Sequence, residues 1–294
     1  MRLEDFGMDT ITLAGPIEAK LRAVRDAGFT QIMLSARDLV GHPDGEAAAI
    51  QAVRDSGLRV TGLQVLRDFE GLSGQLHEYK VDVAKSMLES ARAVGAPLLL
   101  ICSTTSAHAD AEFDRQVADL RKLAMLAVPL GVRIAFEGLS WGRFVDDVPG
   151  AWALVSAADR SNLGLAIDSF HMLAKDTPLD VLEEIDPDKL FFVQLSDFMW
   201  SAPATPEERR ETARHLRVFP GEGAHSAAVA DLIRAIDRMG YAGDYSFEVF
   251  NDDYVQMQLG RVTERARRSV EWITGHVSRH SLPVRRSMPR AAAR

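Results

Sequence analysis

Short apolar runs alternate with longer amphipathic segments along most of the 294-residue chain. Nearly every position in the short runs is apolar, which is typical of parallel strands that are covered on both faces. The pattern predicts strands at 10–14, 31–36, 59–65, 97–103, 132–137, 163–168, 190–196 and 245–250. Between these runs, apolar residues recur at helical spacing, as in Ile17, Leu21 and Val24. Beyond this first helix, the pattern predicts helices at 46–56, 77–94, 112–130, 147–160, 226–239 and 257–275.

The strands and helices are joined by short connections in which a glycine often ends the helix, as at Gly57, Gly95 and Gly131. Repeated β/α units in a chain of this length favour one (β/α)8 TIM barrel over an open sheet. No Gly-x-Gly-x-x-Gly follows the first predicted strand, so the dinucleotide-binding open sheet loses support. We therefore expect one catalytic domain at 1–278. The segment 197–223 is longer than an ordinary loop and is predicted to be functional.

Composition narrows the class of protein. The chain is 47% hydrophobic and 26% charged, and its formal net charge of −8 disfavours a nucleic-acid partner. We find no apolar stretch of the roughly 20 residues that a membrane span needs. Glu4, Asp5 and Asp9 argue against a signal peptide, so a cytoplasmic location is expected. Cys102 is the single cysteine, which excludes an intrachain disulfide and predicts a small apolar role in a buried strand.

The last 16 residues are basic and carry no acid. Their arginines are Arg279, Arg285, Arg286, Arg290 and Arg294. We expect the tail at 279–294 to be a flexible, solvated extension of the α/β barrel.

Oxygen-bearing side chains lie near the ends of four consecutive predicted strands. They are Glu137, Asp168, Gln194 and Glu248. A TIM barrel builds its active site at the carboxyl ends of its strands, so these groups should converge. Three converging carboxylates repel one another unless a cation or protons neutralise them. An all-oxygen set suits Mg²⁺ or Mn²⁺, with Co²⁺ or Zn²⁺ as further candidates. Taken singly, each residue could instead be a cap, a satisfied polar group or half of an ion pair.

Further candidates lie close to these strand ends. His171 follows Asp168 by three residues, where imidazole is a natural proton-transfer group, although a lone histidine is more often structural. Arg67 and Arg217 suit a substrate carboxylate, or they pair with nearby acids. Trp141 could wall the pocket or pack in the core.

Five segments resemble one known family. "FEGLSWGRFV", "AIDSFHML", "FFVQLSDF", "LRVFPGEG" and "FEVFNDDY", in this order, are similar to segments of the xylose-isomerase-like TIM barrels. Gln194 together with "DSFH" and "RDFEG" is most similar to the metal-dependent 3-dehydroshikimate dehydratases. The similarity covers roughly residues 8 to 275.

The resemblance implies a function for each candidate residue. It implies metal ligation by Glu137, Asp168, Gln194 and Glu248, with acid/base work by His171. It also implies that Arg67 and Arg217 bind the substrate carboxylate. Gln64 and Trp141 are further candidates for the substrate pocket.

The leading hypothesis is a lyase that binds one divalent metal ion and a small-molecule substrate. It would convert 3-dehydroshikimate to protocatechuate by loss of water. The first alternative is an isomerase or epimerase of a ketose or cyclitol at the same site. An abasic-site endonuclease needs several histidines as zinc ligands and a basic DNA-binding surface, whereas this chain offers one histidine near the candidate ligands and a net charge of −8. Two further possibilities stay open. The barrel could bind a metabolite without catalysis, and the chain could assemble into a homo-oligomer.

Overall fold

The computed structural model describes residues 1–277, in which eight parallel strands close into a barrel. Its strands are β1 (Phe6–Asp9), β2 (Gln31–Ser35), β3 (Arg59–Arg67), β4 (Leu98–Cys102), β5 (Arg133–Glu137), β6 (Leu163–Asp168), β7 (Leu190–Leu195) and β10 (Tyr245–Phe247). The hydrogen-bonded order around the barrel is β1-β10-β7-β6-β5-β4-β3-β2, so the first strand pairs with the last. The predicted TIM barrel is confirmed.

Ten α-helices lie in the described part of the chain. They are α1 (Ile17–Asp26), α2 (Ala36–Val40), α3 (Glu46–Ser56), α4 (Gly74–Ala93), α5 (Phe113–Ala127), α6 (Val148–Ala158), α7 (Ser169–Ala174), α8 (Pro206–His215), α9 (Ser226–Arg238) and α10 (Leu259–His276). The buried faces of the long helices cover the outer surface of the barrel, for example through Val24 of α1 and Ile233 of α9. No helix within residues 1–277 is both long and apolar enough to cross a bilayer.

The first predicted strand, at 10–14, is wrong. The strand is β1, directly before it, where Phe6 pairs with Tyr245 and Met8 pairs with both Phe247 and Ile32. Residues Thr10–Thr12 form a 3₁₀ turn instead. Their threonine hydroxyls bond to backbone: Thr12 Oγ1 accepts from the N–H of Val249 at 2.9 Å. The alternation of β-branched residues in "TITLA" is typical of a strand. In the structure, these residues instead belong to the connection between β1 and α1.

Three short helices, α2, α7 and α8, were not predicted. Helix α7 begins directly after β6, and the Asp168 carboxylate caps it by accepting the N–H of Phe170 at 2.8 Å. His171 therefore lies on a helix rather than in a loop. Because α7 starts at the strand end, it holds His171 above the barrel mouth.

The long segment after β7 is structured. It contains β8 (Asp197–Phe198), helix α8 and β9 (Arg217–Val218), and β8 pairs with β9 in an antiparallel sheet. The last residue of the segment, Gly223, packs directly against Asp197. A side chain does not fit there, because a Cβ at position 223 would lie 2.2 Å from the carboxylate carbon of Asp197. The segment thus brings the end of α8 back over the site. The predicted domain end at 278 and the basic tail lie outside the described residues.

Candidate active site

A cavity of about 730 Å³ lies at the carboxyl ends of the barrel strands. Among the predicted site residues, those lining it are Gln64, Arg67, Glu137, Trp141, His171, Arg217 and Glu248. Asp168 and Gln194 are 1% and 0% exposed and lie next to each other in the pairing of β6 with β7. The barrel thus brings all the predicted residues to one end of the fold.

Glu137, Asp168 and His171 form a compact triad. Each residue offers one ligand atom, and these atoms lie within 4.8 Å of one another. Glu137 ends β5 and Asp168 ends the adjacent β6, so parallel strand geometry sets this distance. Glu248 follows β10 directly, and its N–H continues the ladder by donating to the carbonyl of Leu195.

Arg217 lies among the carboxylates rather than free in the cavity. Its Nη1 donates to Asp168 Oδ2 at 2.5 Å and to Glu248 Oε2 at 3.3 Å. Its guanidinium carbon lies 4.6 Å from the centre of the Phe170 ring, and only 2% of its side chain is exposed. This position differs from the expectation of a guanidinium held ready for a substrate carboxylate. Arg217 instead compensates part of the buried negative charge.

Two oxygens at the site are buried and have no hydrogen-bond partner within residues 1–277. They are Glu137 Oε1 and Gln194 Oε1. Burial, and then the charges of Asp168 and Glu248, raise the pKa of Glu137 well above its ordinary value. Burial also raises the pKa of Glu248 to about 7, although Arg217 opposes the rise. Unpaired oxygens beside repelling carboxylates fit a divalent cation.

His171 is held at one ring nitrogen and faces the carboxylates with the other. Its Nδ1 lies 3.1 Å from the backbone nitrogen and 3.0 Å from the hydroxyl of Ser140. Its Nε2 lies 3.8 Å from Glu137 Oε1 and 3.7 Å from Asp168 Oδ2. Burial lowers the pKa of His171 to about 3, against the raising effect of Asp168, so the ring is neutral near pH 7.

The outer part of the cavity is cationic. Arg67, at the end of β3, and Arg214, near the end of α8, both line it, and neither forms an ion pair within residues 1–277. Burial and then the charge of Arg67 lower the pKa of Arg214, so the two guanidinium groups are close enough to repel. Arg214 also lies 6.0 Å from the centre of the Trp141 ring. Trp141 in turn packs edge-on against His171 at 5.0 Å between ring centres.

Sequence reasoning missed two side chains beside the site. Asp9 is fully buried at the end of β1, and it was overlooked because the strand was placed after it. The run "FGMD" ends in an acid, like "RIAFE" and "LGLAID", and this shared ending was the signal. Cys102 was assigned a small apolar role, but its Sγ lies 3.0 Å from Glu137 Oε2 and donates to it.

A sequence profile described as "Xylose isomerase-like TIM barrel" matches residues 21–276. A protein of Pseudomonas aeruginosa named 3-dehydroshikimate dehydratase is 36% identical over 246 residues, which cover 83% of this chain and 38% of that protein. This chain therefore spans about two fifths of the length of that relative. An inosose isomerase of Halalkalibacterium halodurans is 28% identical over 200 residues, covering 65% of this chain and 67% of the isomerase.

One solved structure resembles the barrel over almost its whole length. It is a xylose isomerase-like TIM barrel/4-hydroxyphenylpyruvate dioxygenase fusion protein, 32% identical, with a TM-score of 0.85. The alignment covers 92% of this chain and 42% of the fusion protein.

Proposed function

Because the chain belongs to the family of xylose isomerase-like TIM barrels, we propose that it is a divalent-metal-dependent lyase acting on a small hydroxylated cyclic keto acid. The proposed reaction is the dehydration of 3-dehydroshikimate to protocatechuate. The observation that carries the proposal is the combination of unpaired carboxylate and amide oxygens, a neutral histidine and a cationic cavity mouth. The name of the 36% identical relative supports this choice of substrate.

The metal ligands in this proposal are Glu137, Asp168, Gln194 and Glu248. Among residues 1–277, Glu137 Oε1 and Gln194 Oε1 have no hydrogen-bond partner, whereas Asp168 and Glu248 share Arg217. A bound divalent cation would act as a Lewis acid toward a substrate carbonyl, which is worth several kcal/mol to an enolate-like transition state. Since Mg²⁺ and Mn²⁺ both accept oxygen ligands, either suits this set.

His171 is the proposed proton-transfer group, and Nε2 is the atom that acts. In one neutral tautomer, Nδ1 accepts the N–H of Ser140 and Nε2 carries the proton. In the other, Nδ1–H donates to the Ser140 hydroxyl and Nε2 is free to take a proton, at the cost of the contact with the Ser140 N–H. The Ser140 backbone therefore favours the proton on Nε2, and its hydroxyl supplies the acceptor that the base form needs. The ring can take a proton from the carbon beside the substrate ketone and deliver one to the departing hydroxyl, which leaves as water.

Arg67 and Arg214 form the proposed clamp for the substrate carboxylate. Their repulsion is relieved when an anion binds between them, and guanidinium groups bind carboxylates with two hydrogen bonds. The sequence predicted Arg217 for this role, but Arg217 is bound by Asp168 and Glu248. The proposed clamp therefore contains Arg214 in its place. Trp141 closes one side of the pocket, and its buried Nε1 has no partner within residues 1–277.

Arg67→Ala and Arg214→Ala should each raise KM for the keto acid by about 10- to 100-fold, as expected for the loss of a charged hydrogen bond. Steady-state kinetics would measure this, with Mn²⁺ affinity measured in parallel and expected to be unchanged. Arg210→Ala is the matched control, since Arg210 is exposed on the same helix and does not line the cavity. Unchanged KM in both cavity variants would refute a carboxylate substrate.

An isomerase or epimerase of a cyclitol is the second candidate, and the similarity to inosose isomerases favours it. That reaction needs a second acid/base across the substrate from His171. Among the cavity-lining carboxylates within residues 1–277, Asp68 is the one outside the proposed ligand set. Its Oδ1 accepts the N–H of Thr105 at 2.7 Å, so it is a loop-fixing group rather than a free base.

The deciding experiment treats the protein with EDTA, restores Mn²⁺ or Mg²⁺, adds 3-dehydroshikimate and follows the absorbance of the catechol product. We expect product only with metal. If no catechol forms under any of several divalent metals, the dehydratase proposal fails, and inosose should then be assayed for isomerisation.

A further inference from the structure

Asp9 is a buried carboxylate that is neither a proposed ligand nor part of the cavity wall. It accepts three hydrogen bonds, from Gln194 Nε2 at 2.7 Å, from Gln64 Nε2 at 3.1 Å and from the Ser246 hydroxyl. No Lys, Arg or His within residues 1–277 forms an ion pair with it. Burying a carboxylate without a cation is costly, so the position of Asp9 calls for a reason.

The reason lies in the two ends of the Gln194 amide. The oxygen and the nitrogen of an amide have nearly the same shape, and the surrounding hydrogen bonds decide which way it points. Asp9 Oδ2 accepts from the nitrogens of both Gln194 and Gln64, while Oδ1 faces the Ser246 hydroxyl, so Asp9 presents an acceptor to the Gln194 amide and selects its nitrogen. Gln64 Oε1 adds a second acceptor 3.2 Å from the same nitrogen. The Gln194 oxygen is left buried without a partner in the described part of the chain, on the strand next to Asp168.

We propose that Asp9 is a positioning residue that turns the Gln194 amide so that its oxygen, and not its nitrogen, is presented to the metal. This inference rests on the metal site of the proposed function. An amide NH₂ group has no lone pair available for a cation, so the reverse orientation would remove one ligand and place two N–H dipoles against the ion. Gln64 supports the same orientation, because its own nitrogen is also held by Asp9.

The test is Asp9→Leu, measured by calorimetric titration of Mn²⁺ into the metal-free full chain. The apolar side chain removes the acceptor that holds Gln194 Nε2, so the Gln194 amide is free to turn. Mn²⁺ affinity should fall about 10- to 100-fold, the usual effect of losing a group that orients a ligand. The conservative variant Asp9→Asn keeps an acceptor, because its amide oxygen can face Gln64 and Gln194 while its nitrogen donates to the Ser246 hydroxyl. Its affinity should exceed that of D9L.

Thr61→Val is the matched control, because Thr61 is a buried polar residue of the barrel whose hydroxyl contacts only the carbonyl of Ile32 among the described residues. Urea unfolding in EDTA checks that each variant is folded. Should D9L not fold, Asp9→Ala removes the same acceptor with less volume and carries the same expected loss.

The outcomes separate the two proposals. Wild-type protein that binds Mn²⁺ while D9L binds it equally well would overturn the role of Asp9 and leave the metal site standing. Equal weakness of D9L and D9N would also overturn it, because the loss would then follow the removed charge and not the acceptor that orients the amide. Wild-type protein that binds no Mn²⁺ would overturn both proposals together.

Discussion

Asp168 and His171 lie three residues apart on the chain, and Asp168 Oδ2 is 3.7 Å from His171 Nε2. The triad geometry allows both side chains to be metal ligands. The proposed function instead divides the roles, with Asp168 as a ligand and His171 as the proton-transfer group. The Ser140 contacts favour the division, because the Ser140 N–H donates to Nδ1 and so favours a proton on Nε2, which then cannot bind a cation.

We expect Asp168→Asn to lower Mn²⁺ affinity and activity together. His171→Ala should keep Mn²⁺ affinity within a few-fold and lower kcat by about 10²–10⁴, the usual contribution of a positioned acid/base. Calorimetry and steady-state kinetics on the same preparations would measure both. His108→Ala, at an exposed loop position, is the control. Loss of Mn²⁺ binding in His171→Ala would instead make the imidazole a ligand.

The metal ligands that the sequence predicted are polar side chains at or near the ends of apolar runs. Glu137 and Asp168 end their strands in this way. Arg217 was found as well, but its partners were not, because Asp168 is 49 residues away and pattern alone does not tell which acid a loop arginine reaches. Asp9 was missed because the first strand was predicted at 10–14, directly after its actual position at Phe6–Asp9.

At the level of elements, helix α8 carries Arg214 to the cavity, and its start is readable in the sequence "TPEE". Thr205 caps the helix by accepting the N–H of Glu208, and Glu208 Oε2 accepts the N–H of Thr205 at 3.1 Å. Pro206 occupies the first helical position. This capping box was overlooked because the segment 197–223 was treated as one long loop. The regular β/α units were predictable, since their apolar periodicity is continuous.

Thr205→Ala should loosen α8 without unfolding the barrel. Loss of an N-cap costs about 1 kcal/mol, which corresponds to roughly fivefold faster hydrogen exchange of the α8 amides. Exchange measured by mass spectrometry would test this, with Ser201→Ala as a control at an exposed position of the same segment. Unchanged exchange would show that packing, and not the cap, holds the helix.

Across the whole molecule, the loops after β3 and β4 are joined by a buried acid, Glu70. Its Oε1 accepts the N–H of Thr104 at 2.5 Å, and its Oε2 is buried without a partner within residues 1–277. Burial raises the pKa of Glu70 to about 8. Between about pH 4.5 and pH 8, the folded state therefore holds a proton that the unfolded chain releases. Raising the pH through this window lowers the free energy of unfolding.

Glu70→Gln mimics the protonated acid, so it should remove the fall in the free energy of unfolding between about pH 4.5 and pH 8. The variant should match wild type near pH 5 and become more stable than wild type toward pH 8, by at most about 5 kcal/mol. Urea unfolding at pH 5, 6.5 and 8 would measure the difference. Glu89→Gln, at an exposed position of α4, should show no such divergence. Parallel pH profiles of Glu70→Gln and wild type would contradict the assignment.

The pairing of β1 with β10 has a consequence for how the protein is made. Asp9 and Ser246 are hydrogen-bonded although they lie 237 residues apart in sequence. Asp9 is synthesised long before Ser246, so this hydrogen bond forms only after β10 has been made. A chain that stops before Tyr245 also lacks Glu248, one of the proposed ligands. Tight binding of a cation at the proposed site would therefore require that β10 has been made and has closed the barrel.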